Sequence, residues 1–220
     1  AKGKPLDTQW LYGVSFARMG WFKDPKEGHF LEGRNGLSGT NVVGPIRDEA
    51  TAKIYGDDGL VIAFSAPVKD DAGQLVGVWV NLADFGLVEQ VIFDFYDHMK
   101  ASGLLRTEIS ILDKSGAVLV DFDPMVEGGH KRNFEVVGKL NMVETGDAVA
   151  GVAVTNKASG SMLAANPHSL VPEVAGYNYS DGAYDYPGLG WTLIMRTAQD
   201  EIFGAVNHSV TSMLVGTVII

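Results

Sequence analysis

The residues able to do covalent chemistry in this chain are scattered. The five histidines, His29, His98, His130, His168 and His208, fall at no metal-ligand spacing such as HExxH. There is no GxSxG elbow, no P-loop and no GxGxxG. The chain has no cysteine, which excludes thiol catalysis, zinc–thiolate sites and a disulfide framework. Asp121 and Asp123 alternate onto one face of a strand, where they could hold a divalent cation or simply end the strand in solvent. Asp57–Asp58 and Asp70–Asp71 read as turn residues, and Asn178 and Asn207 each open a glycosylation sequon. No enzyme, metal site or cofactor site is expected. What remains is binding chemistry, which needs an apolar enclosure and a few placed polar groups. Trp21 and Phe22 supply aromatic faces, which also attract ammonium groups, or else core packing. Arg18 can fork onto a carboxylate, or stand on the surface. Tyr55 offers a hydroxyl, and Asn81 an amide with both donors and an acceptor.

Composition narrows the classes. Hydrophobic residues at 46% and charged residues at 20% are ordinary for a globular protein, so disorder is not expected. A net charge of −10 argues against nucleic acid, which demands a basic face, and against docking on anionic lipid. In 220 residues there is room for one domain or two small ones.

The elements that must position those side chains are clearest at residues 59–92. Leu60 to Val68 is an apolar run, Lys69–Gly73 a polar turn, and Leu75 to Asn81 a second apolar run, which together read as a β-hairpin. From Leu87 the period becomes helical, with Leu87, Val88, Val91, Ile92, Phe95 and Met99 on one face and Gly103 as the stop. Residues 31–58, punctuated by glycines and Pro45, read as loop. Glu108–Leu112 and Ala117–Phe122 are strands around the turn Asp113–Gly116. Gly151–Asn156 and Ser161–Ala165 are strands flanking another glycine turn. A further strand is centred on Trp191, with a helix leaving it. Turns this short allow antiparallel pairing and not the long crossovers of parallel sheets.

After Glu201 there is no Asp, Glu, Lys or Arg, and Val210–Ile220 is dominated by Val, Met, Leu and Ile. Eleven helical residues rise roughly 16 Å, about half a hydrocarbon core. This is either a buried helix or the start of a transmembrane span.

FSAPV, a glycine turn, GVWVN and an outgoing helix resemble the final hairpin of the membrane-distal module of a double Cache domain, the extracytoplasmic sensor of many bacterial chemoreceptors and sensor kinases. FARMGWF resembles that module's short helix and loop, GPIRDEATAKIYGDDG the segment leading into the FSAPV strand, ISILDKSGAVLVDFDP the opening hairpin of a Cache module, and GLGWTLIM the last strand of the membrane-proximal one. The resemblance implies an α+β fold of two stacked PAS-like modules, each an antiparallel sheet flanked by helices. The membrane-distal module would occupy 1–89, a connecting helix 90–103, the proximal module 104–198, and a helix leading into a span 199–220. The family's long N-terminal helix and first strand have no counterpart here. The implied function is sensing a small organic molecule on the periplasmic side of the inner membrane, with a chemoreceptor output or alternatively that of a histidine kinase or cyclase. A structural extracellular domain and an α/β enzyme are the competing classes. The ligand would be an amino acid, amine, purine or short carboxylate in the distal module, among Arg18, Trp21, Phe22, Tyr55 and Asn81, with no nucleic-acid partner. If that site fails, Tyr177, Tyr184 and Trp191 of the proximal module are the alternative. A receptor homodimer would be held by the long N-terminal helix, so this chain alone should be a monomer or weak dimer. Amino-acid-binding members carry Arg two positions before Trp, Tyr after it, and a later Asp. Here Arg18 stands three before Trp21, Phe22 replaces Tyr and Asn81 replaces Asp, so amino-acid specificity does not carry over.

Overall fold

A computed structural model describes residues 5–32, 38–126, 132–166 and 170–204. They fall into two compact units, one within Ala1–Gln90 and Gly182–Gly188, the other within Val91–Asp181 and Leu189–Ile220. Every strand pairing is antiparallel. The fold is α+β.

The first unit opens with a 3-10 turn at Gln9–Gly13 and the short helix α1 (Gly20–Lys26), which buries Trp21 and Pro25. Its sheet has the order β1-β2-β3-β4, with β1 at Leu31–Glu32, β2 at Ser38–Arg47, β3 at Leu60–Lys69 and β4 at Leu75–Asp84. The expected hairpin is β3–β4, closed where Asp70 Oδ1 accepts from the amides of Ala72 and Gln74. Leu60, Val61, Ile62 and Ala63 are buried, and α1 packs across β2, β3 and β4. β4 is the outer strand of this sheet among the described residues, and it is poorly covered: Val76 is 64% exposed and Trp79 65%.

The loop expected over residues 31–58 is instead β2 and the helix α2 (Glu49–Tyr55). Two devices hide them from a reading by glycine and proline. The strand absorbs Gly44–Pro45 at a register shift between Val43 and Ile46, where a Cβ on Gly44 would come within 2.9 Å of the Val61 carbonyl oxygen. The helix is short but capped at both ends. Asp48 Oδ1 accepts from the Thr51 amide at 2.7 Å, and Gly56 takes the left-handed conformation at φ 75°.

Helix α3 (Gly86–Ala101) follows β4 directly, as the periodicity predicts, but the buried stripe is not the expected one. Phe85, Glu89 and Ile92 are buried, while Leu87, Val91 and Phe95 are exposed. The apolar residues span more than one face, and the face that packs is chosen by Phe85, fully buried at the hinge between strand and helix.

The second unit is a five-stranded sheet of order β6-β5-β9-β8-β7, with β5 at Thr107–Leu112, β6 at Val118–Phe122, β7 at Gly160–Ala165, β8 at Pro172–Tyr179 and β9 at Thr192–Ala198. Asp113 Oδ1 closes the β5–β6 turn by accepting from the amides of Ser115 and Ala117. One sheet face, with Leu112, Val118, Ala175 and Ile194, packs on α4 (Ala148–Thr155). On the other, Phe122 meets the rings of Phe93 and Tyr96 at 5.4 and 4.9 Å. Of residues 151–156, expected as strand, 151–155 belong to α4 and Asn156 is its C-cap. Asp147 caps that helix by accepting from the Ala150 amide at 2.7 Å, and Val149, Ala150, Ala153 and Val154 fall on one buried helical face. The small helix penalty of valine, a few tenths of a kcal/mol, is overridden by that burial. The last strand starts at Thr192, just after Trp191. Residues 199–204 are helical. No helix among the described residues is long and apolar enough to cross a membrane, and the span expected at 210–220 lies outside them.

Candidate ligand-binding site

Three adjoining clefts surround α2 in the first unit. The most apolar, about 590 Å³, lies between the segment Phe16–Phe22, Ile54 of α2 and the β4 side chains Val78, Val80 and Leu82. Its aromatic wall is a packed row, with Phe16 5.3 Å from Trp21 and Trp21 edge-on to Phe22 at 6.3 Å. Trp21 is 5% exposed, so it is chiefly core and only borders the cleft.

A second cleft, about 880 Å³, shares Val14, Ser15, Phe16, Asp48 and Ala50 with the first. It adds Trp10 and three cations, Arg18, Arg47 and Lys53. The Lys53 ammonium sits 4.0 Å from the Trp10 ring centroid, a cation–π contact. Arg47 Nε donates to the Asp58 carbonyl oxygen at 3.4 Å. Arg18 makes no hydrogen bond or ion pair among the described residues. Asp48 is buried and engaged as the α2 cap. The third cleft, about 210 Å³, is lined by Tyr55, Asp57 and Asp84 and shares Thr51 and Leu82 with the first.

Trp21 and Phe22 therefore line the first cleft, Arg18 the second and Tyr55 the third. Asn81 does not join them. It was expected at the end of its strand, but β4 continues to Asp84, so the pleat fixes its direction. Val78, Val80 and Leu82 point to the cleft, and Asn81, paired across with Phe64, points to the opposite face. Trp10, Arg47, Asp48 and Lys53 also line the second cleft and are not among the residues expected from sequence. The signal for the last two was present as a capping sequence, Asp48-Glu49-Ala50-Thr51, heading a helix that carries Lys53. Of the alternative residues, Tyr177 packs against the α4 core and Tyr184 is 96% exposed.

The second unit holds a buried polar group on the sheet face that meets α4. Arg196 Nη2 lies 2.8 Å from each carboxylate oxygen of Asp147. The Asn166 side-chain amide donates to Glu173 Oε1 at 2.8 Å and reaches Glu108 Oε1 and Oε2 at 3.2 and 3.3 Å. Burial pushes the Glu108 carboxyl up to about 7, reinforced by the charges of Glu173 and Asp123 and opposed by the Asn166 hydrogen bond and by Arg196. Arg106, just before β5, donates through Nη2 to both oxygens of Asp200 at 2.7 Å and through Nε to Glu201 at 3.1 Å. The described residues contain no group of His, Asp or Glu fit to hold a metal.

No protein-family profile matches the chain, and no curated protein matches it in sequence. Solved structures do. The periplasmic sensory domain of the Campylobacter jejuni chemoreceptor Tlp1 superimposes with a TM-score of 0.60 at 16% identity, covering 85% of this chain and 57% of that one. The ligand-binding domains of two Pseudomonas aeruginosa amino acid chemoreceptors are also similar. PctC, solved with GABA, gives 0.50 at 17% identity, covering 84% of this chain and 63% of that one. PctB, solved with L-Arg, gives 0.51 at 15% identity, covering 90% and 62%. The chain thus spans less than two thirds of each of these structures. Its fold is that of chemoreceptor sensory domains, the Cache-type architecture its motifs resemble.

Proposed function

We propose that this chain is the extracytoplasmic ligand-sensing part of a bacterial transmembrane chemoreceptor, with the first unit as the membrane-distal, ligand-binding module. The observation that carries this is the joining of an apolar, aromatic-walled slot to a rim where Arg18 has no partner among the described residues, in a chain with the fold of chemoreceptor sensory domains. An apolar slot takes the body of a small organic molecule, and an unengaged guanidinium takes its carboxylate. Amino acids, amines, purines and short carboxylates are the classes to try. GABA and L-Arg, bound by two of the similar structures, both carry a carboxylate.

Signalling on this reading requires no change to the ligand. β4 forms one wall of the cleft and runs directly into α3, so cleft closure biases α3, which leads into the second unit as the membrane-proximal module. The helix beginning at 199 then carries the bias towards a span in the inner membrane, and the receptor dimerises through the family's long N-terminal helix. A differential affinity of about 1.4 kcal/mol for two states changes their ratio tenfold.

Calorimetry of the chain against that panel tests the proposal. For any ligand found, Arg18→Ala and Trp21→Ala should each weaken binding by roughly 1–3 kcal/mol, and Asn81→Ala should leave it unchanged. Binding that survives both Arg18→Ala and Trp21→Ala places the site elsewhere.

A further inference from the structure

The second unit carries a polar group that the ligand cleft does not use. Glu108 on β5 and Glu173 on β8 flank β9 and converge on one nitrogen, Nδ2 of Asn166, at the turn after β7. Glu173 is 5% exposed, Asn166 3% and Arg196 2%. The other charged groups facing Glu108 are Arg196 on β9 and Asp123 just beyond β6. Arg196 is committed through Nη2 to Asp147, the cap of α4. With one cation shared among three carboxylates, Arg196 offsets the glutamates only in part, and they remain like charges bracketing a neutral amide. A buried surplus of negative charge is costly, and the simplest relief is one proton on the pair. Glu173 Oε2, moreover, is buried without a hydrogen-bond partner. Arg196 Nη1 is likewise buried without a hydrogen-bond partner, and a protonated Glu108 adds a second donor to the group.

We propose that the Glu108–Asn166–Glu173 group is a second input site of this protein, and that its ligand is a proton. With the proton on Glu108 the repulsion across the Asn166 amide is gone and both side chains stay on that nitrogen. Without it the carboxylates repel and the set opens. The position gives the change a route outward. Glu108 lies two residues beyond Arg106, whose backbone amide donates to Glu201 Oε2 at 3.0 Å and whose guanidinium holds Asp200 and Glu201. Both acids sit on the helical turn at 199–204, which continues from β9. Strain relieved or applied on β5 at Glu108 thus reaches the outgoing helix through one side chain. The raised Glu108 carboxyl puts the transition near neutral pH, where an environment can operate it.

Carboxyl-resolved NMR titration of the 220-residue chain tests this. A glutamate resonance should titrate near pH 7 and disappear in Glu108→Gln. The Arg106 Nε–H resonance should move over the same pH range in the parent and stay still in Glu108→Gln, a change that a purely structural glutamate would not produce. Glu173→Gln should draw the Glu108 midpoint down by a unit or more by removing the like charge. This variant keeps the test valid if Glu108→Gln does not fold. An ordinary carboxylate midpoint for Glu108, or an Arg106 signal insensitive to pH between 6 and 8, overturns the proposal.

Discussion

Arg196 on β9 reaches both carboxylate oxygens of Asp147 with a single nitrogen, at 2.8 Å, and Asp147 in turn caps α4 by accepting from the Ala150 amide. The two side chains are 3% and 4% exposed. One residue therefore fixes where α4 starts and which strand it leans on. Removing either partner leaves the other charge buried. Arg196→Met should destabilise the second unit by about 3–5 kcal/mol. Asp147→Asn can still cap, so its cost should come mainly from the stranded guanidinium. Replacing both with apolar residues of similar volume should recover much of the loss. Urea denaturation of the two single variants and the double variant measures it.

The pH dependence of stability follows from Glu108. Its folded-state value is raised from 4.5 to about 7, so between those values the native state holds more protons than the unfolded one. Stability should be greatest towards the acid side of that window, fall as pH rises through about 7, and level off above. Asp200 acts in the opposite sense at the acid extreme. Its carboxyl is lowered by its hydrogen bonds to Arg106, so that contribution disappears as pH falls below the ordinary aspartate range. Urea midpoints for the parent and Glu108→Gln should lie close together at pH 5, where Glu108 is protonated, and separate at pH 8, where only the parent carries the buried charge.

Gly59 marks the tightest backbone approach around α2. Its φ is +66°, and a Cβ there would meet the Asp48 carbonyl oxygen as well as Ala52, whose Cβ lies at 2.8 Å. Gly59→Ala should cost more than about 1 kcal/mol through conformational strain and displacement of α2 together. Gly77 on β4 has open space and an ordinary φ, so Gly77→Ala should be nearly neutral or slightly stabilising. The difference between their thermal midpoints is the check.

The pleat of β4 gives a sharper test of the cleft than truncation does. Val80 and Asn81 are neighbours on opposite faces. Val80→Asp should abolish binding of any ligand held in the apolar slot, whereas Asn81→Asp should change affinity by less than twofold. Circular dichroism of both variants separates loss of the site from loss of the fold.

The β3–β4 and β5–β6 hairpins were legible because apolar alternation and Asp/Gly turn chemistry agree at both. The element at 148–155 was not, because valines in sequence suggest a strand and only the Asp147 cap says otherwise. β8 has no apolar alternation to mark it. Its alternation is carried by Glu173, Ala175 and Tyr177, and a glutamate buried against an asparagine has no signature in a hydrophobic pattern. In the site, Trp21 and Phe22 announced themselves by type, while the orientation of Asn81 depended on where β4 ends. A strand two or three residues longer than expected does not by itself change facing. It turns a residue with terminal freedom into one held by the ladder.

β4 has a further consequence, for anyone handling the protein. A ten-residue strand at the rim of its sheet among the described residues, with Val76 and Trp79 largely exposed, offers a row of backbone donors and acceptors next to greasy side chains. Such a rim can adopt any extended segment that drifts past, including the same rim of another molecule in reverse orientation. Concentrated stocks should therefore thicken or precipitate in a manner that ignores salt but responds to a single lysine placed at position 79. Tryptophan fluorescence would report the event directly, because the indole at position 79 passes from water into a seam.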